Sequence, residues 1–89
     1  MNITINERAL PVIKAGLSLE EGVLNLSLNK YQKQLTEFEK KHRFGTEDFL
    51  LRFNSGKLGD DSEWFDWLFA YKSVQYVKEN LLCLQEIKW

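Results

Sequence analysis

The sequence predicts a mainly α-helical domain: a short N-terminal strand, then two long antiparallel helices joined by a short helix, paired with a second copy in a dimeric bundle. Three observations predict it. Leu24, Leu28, Tyr31, Leu35 and Phe38 recur at alternating spacings of four and three, a heptad stripe on one helix face. A broader stripe of Trp64, Trp67, Leu68, Tyr71, Val74, Val77, Leu81, Leu84 and Ile87 marks a second core-facing helix. Between them, FGTEDFLLRFNSGKLGDDSEWFDW, from Phe44 to Trp67, packs two helix starts and a glycine stop into one short block.

In chain order, Ile3 and Ile5 alternate with Asn2, Thr4 and Asn6, the period-two pattern of a half-buried strand over Met1 to Asn6. One strand leaves its backbone groups unpaired, so it needs a neighbour. A short helix fits Glu7 to Ala15, provided Pro11 falls in its first turn, and Gly16 suits its end. Ser18 and Glu21 form an S-x-x-E capping box that opens the first long helix. Glu37–Lys41 and Glu39–Arg43 are spaced to pair along its solvated side, and Gly45 closes it. Thr46 caps the short helix, with Glu47 and Asp48 in its first turn and Phe49, Leu50 and Phe53 on its apolar face. Gly56 stops it, and Asp61 or Ser62 caps the last helix. Phe65, Phe69 and Tyr76 lie off that helix's stripe and predict a second covered face. Residues 1–17 thus read as an arm for dimerisation or DNA reading, and residues 18–89 as a partner-binding helical bundle.

A chain of 89 residues makes one small domain with a limited core, which a second copy would extend. The unpaired strand and the surplus aromatics both predict a homodimer. A net charge of −1 provides no global basic field for nucleic acid. There is no leader-like segment and no long uncharged apolar run, so neither secretion nor membrane insertion is expected. Cys83 is the sole cysteine; set between Leu82 and Leu84, it reads as a buried, inert thiol suited to a reducing cytoplasm.

Two stretches resemble known families. Residues Ile3 to about Gln32 resemble a degenerate ribbon-helix-helix unit, through the ITIN strand, the G-L-S turn at Gly16 to Ser18 and the S-L-E-E helix start, although Pro11 stands in the first helix and the strand lacks basic residues. That resemblance implies operator DNA read by the outward residues Asn2, Thr4 and Asn6. Residues Tyr31 to Ile87 are similar to small prokaryotic antitoxins encoded beside a ribonuclease toxin, on the strength of F-L-L-R-F-x-x-G-K-L-G-D-D-x-E-W-F-x-W. This second resemblance implies a cognate toxin as partner.

The chemistry of the side chains points the same way. His42 is the only histidine and continues the helix stripe after Phe38. With no second histidine or cysteine at ligand spacing, it reads as a bundle-edge residue rather than a metal ligand or base, and no cofactor is implied. Asp60, Asp61, Glu63 and Asp66 crowd around Trp64 and Trp67 without a nucleophile or basic clamp beside them. In part these carboxylates satisfy a helix N-terminus. Around two tryptophans they also compose an acidic-aromatic patch for a basic partner, so these six residues are the candidate partner-binding site.

Overall fold

The computed structural model describes residues 6–87 and, among them, three α-helices and no strand. α1 spans Leu10–His42, α2 Thr46–Asn54 and α3 Ser62–Gln85; one 3₁₀ turn, Glu7–Ala9, precedes them. Lys41 meets Glu63 while Tyr31 meets Phe69, so α1 and α3 run antiparallel. The expected strand lies outside the described residues except for Asn6, whose side chain accepts the Arg8 N–H and caps the 3₁₀ turn.

The main correction concerns α1. The expected break between two helices at Gly16 to Ser18 does not form, and one helix of 33 residues runs across the 17/18 boundary. Within a helix every Ser18 and Gly16 backbone group already has a partner along the chain, so the capping box has no free amide to satisfy. Pro11 does sit in the first turn, where its missing N–H has no consequence. The helix ends two residues earlier than glycine would place it: Arg43 takes the left-handed conformation, φ 62°, and its N–H bonds the Glu39 carbonyl. Gly45 therefore flanks α2 as its N-cap, and Thr46 is the first residue of α2.

Other elements follow the sequence closely. Gly56 adopts φ 73° just past α2, and the Asp61 carboxylate accepts the Glu63 N–H at the start of α3. Phe49 is fully buried, with Leu50 and Phe53 half-buried beside it. The core is small and sits at one end: Phe49, Trp67, Ala70, Val74 and Val77 are its buried hydrophobic residues. The inner stripe of α1 is only half-buried throughout, because a single helix, α3, covers it. Cys83 is exposed, against expectation. Among the described residues no further element closes over that side of α3.

Candidate partner-binding site

Trp67 organises the end of the hairpin where α2 packs. Its ring stacks on Phe49 at 4.3 Å with 4° between planes, and on Phe38 at 5.5 Å from the other helix. Phe44 and His42 add contacts at 5.2 and 5.4 Å. An indole at the centre of a core must still place its N–H. Here Nε1 donates to Thr46 Oγ1 at 3.0 Å. The same hydroxyl donates to Glu39 Oε2 at 3.0 Å, and the Thr46 N–H donates to that oxygen at 2.9 Å. Glu39 thus caps α2 from α1, while Gly45 supplies no side chain for the task. Instead of facing Arg43 across solvent, Glu39 fixes the connector.

A second polar cluster closes the open side of this core. Glu63 Oε1 lies 2.9 Å from Lys41 Nζ and 2.9 Å from His42 Nε2. The Lys41 bond, then the His42 bond, hold the Glu63 carboxyl below its ordinary value. His42 also faces Trp64 at 4.7 Å, which makes it the bundle-edge residue its register implied. A first-turn acid on α3 opposite last-turn bases on α1 is a pairing that antiparallel registration alone would suggest.

The six candidate residues consequently divide. Trp67 is wholly buried and unavailable to a partner, a correction forced by its stacking between Phe49 and Phe38. Trp64 is half-buried against His42 and Phe49. Glu63 is committed to Lys41 and His42. Asp60, Asp61 and Asp66 remain exposed, with Asp61 also capping α3. The exposed aromatic side chains of this stretch are different ones: Phe65, edge-on to Phe53, is 54% exposed, and Phe69, which lines one groove with Asp66, is 61% exposed. Their signal was present in the sequence, since both lie off the core stripe. Asn2 and Thr4 of the proposed DNA-reading set lie outside the described residues, and Asn6 is the 3₁₀ cap.

Phe69 also lines an open groove of about 500 Å³ between α1 and α3, with Lys30, Tyr31, Gln34, Phe38, Lys41 and Asp66. Among the described residues no group of three or more His, Cys, Asp or Glu is placed to hold a metal, and no helix is long and apolar enough to cross a membrane. Comparison with protein-family models, curated proteins and solved structures finds no match to this chain.

Proposed function

We propose that the chain is a non-enzymatic protein-binding module and, within that class, an antitoxin that neutralises a ribonuclease toxin in the cytoplasm. One observation carries the reading: Phe65 and Phe69 are exposed on the first turns of α3, exposed Asp66 shares a groove with Phe69, and the exposed Asp60 and Asp61 immediately precede the helix. Exposed rings that are rigid and already ordered on a helix lose little entropy when a partner covers them. A ribonuclease must hold a polyanion, so its working face is basic. Carboxylates ringing an apolar anchor complement such a face and speed encounter with it. The resemblance of Tyr31 to Ile87 to toxin-neutralising chains names the partner class. A DNA-reading role draws no comparable support, because α1 runs straight through the turn that a ribbon-helix-helix unit needs.

Co-expression with a small basic ribonuclease, should a neighbouring gene encode one, tests this. The two should purify as a complex that no longer cleaves RNA. Phe65→Ala should raise the Kd by about 30-fold, the size of an interface hot spot. Asp60→Lys with Asp66→Lys should slow association by about tenfold at low salt and flatten its salt dependence. RNA cleavage by that protein that stays undiminished at saturating antitoxin would refute the assignment.

A further inference from the structure

α1 carries a second seam that its own chain does not cover. Val12, Gly16, Leu19, Val23, Leu26 and Lys30 follow one another at spacings of four, three, four, three and four. This is a heptad register separate from the inner stripe that begins at Leu24. Its large apolar members are between 48% and 73% exposed. The seam ends at Lys30, which lines the same groove as Phe69 of α3. The opposite groove, lined by Gln32, Leu35, Tyr71 and Val74, is the one that α2 borders, through Thr46 and Glu47. The α1 seam therefore lies on the side of the hairpin that α2 leaves open. Tyr76, two turns beyond Phe69 on α3 and also exposed, extends that same side.

We propose that a second copy of this chain covers this side, so that two hairpins close a four-helix bundle. The surface area argues for an occupant of that size. A compact protein of 10.5 kDa exposes about 5,400 Å², whereas this chain exposes 7133 Å². The surplus, on the order of 1,000–2,000 Å² per chain, is the amount each partner buries in an obligate dimer. The radius of gyration, 18.2 Å, likewise exceeds the value of about 12 Å for a compact chain of this length. Gly16 fits the same arrangement. It is a poor helix former at mid-seam, and a Cβ there would meet nothing within 4 Å in its own chain. Facing a second helix, it leaves a hole for a partner side chain. A net charge of −1 opposes the pairing of two copies only weakly.

The second copy and the proposed toxin surface meet at Phe69, which lines the groove where the seam ends; the test contains no toxin and reads the contact between copies alone. Sedimentation equilibrium of the full chain should give twice 10.5 kDa at about 10 μM. Leu19→Glu and, separately, Gly16→Glu should each weaken the dimer by about a hundredfold, as charge enters a desolvated seam. Gly16→Glu guards against a folding artefact, because it replaces a poor helix former with a good one in open space. Leu51→Glu, at a site on α2 that is 71% exposed, should leave the dimer intact. A parent chain still monomeric at about 100 μM overturns the proposal. So does a dimer indifferent to both seam substitutions, or one dissociated equally by Leu51→Glu.

Discussion

The Thr46 hydroxyl joins three helices with two hydrogen bonds, receiving one from Trp67 on α3 and giving one to Glu39 on α1. Thr46→Val keeps the shape and removes both. It leaves the indole N–H unpaired in the core, at a cost of about 1–3 kcal/mol. Urea unfolding should show this as a lower midpoint at an unchanged slope, with Thr46→Ser retaining most of the stability. Equal midpoints for Thr46→Val and the parent would mean that the hydroxyl is not holding the connector. Glu63 predicts a pH effect. Its carboxyl titrates below the ordinary value of 4.5 because Lys41 and His42 bond the charged form. The stabilisation is therefore complete above about 4.5 and fades as pH falls through the lowered value. Glu63→Gln should destabilise the chain at neutral pH, and the gap from the parent should close on acidification. A gap that widens towards low pH contradicts the assignment. Neither contact was readable from local pattern, since Thr46 and Trp67 are joined across 21 residues, as are His42 and Glu63.

At the scale of elements, the readable features were those set by local chemistry. The Asp61 cap, the Gly56 stop and the apolar face of α2 each depend on residues within one turn. The continuity of α1 was less legible, because Gly16 and the Ser18–Glu21 pair imitate a boundary. A helix already propagating from Leu10 gains a backbone bond at each residue, and this outweighs a capping box that would first require unwinding it. Arg43 shows the converse: a non-glycine residue holds φ 62° where a glycine was expected two positions on. The left-handed conformation costs a residue with a Cβ about 1–2 kcal/mol. Arg43→Gly should therefore raise stability by up to about 1 kcal/mol, with the gain reduced by the greater freedom of glycine in the unfolded chain. A lower Tm for this variant would show that the arginine side chain contributes more than its backbone costs.

The whole molecule is a hairpin 56 Å long with its buried core at one end. Its stability should be unequal along that length. Around Trp67, Phe49 and Val74 three helices share a closed core, whereas between Val12 and Leu26 α1 has, among the described residues, the end of α3 beside it through Leu84 and Ile87. Segments with few buried contacts open locally at low free energy, and their amides exchange through those openings. A second copy that binds the folded form suppresses such opening by mass action. Hydrogen exchange should consequently depend on concentration in one region only. Between about 1 and 100 μM, amides from Val12 to Leu26 should gain protection as the dimer fills. Those of α3 from Trp67 to Val74, already enclosed by the chain's own core, should change little below the global unfolding limit. The Gly16→Glu variant should exchange at every concentration as the dilute parent does. Protection rising instead around Trp67 and Phe49, with the Val12 to Leu26 stretch unchanged, would place the contact between copies at the α2 end and free the α1 seam for a different partner.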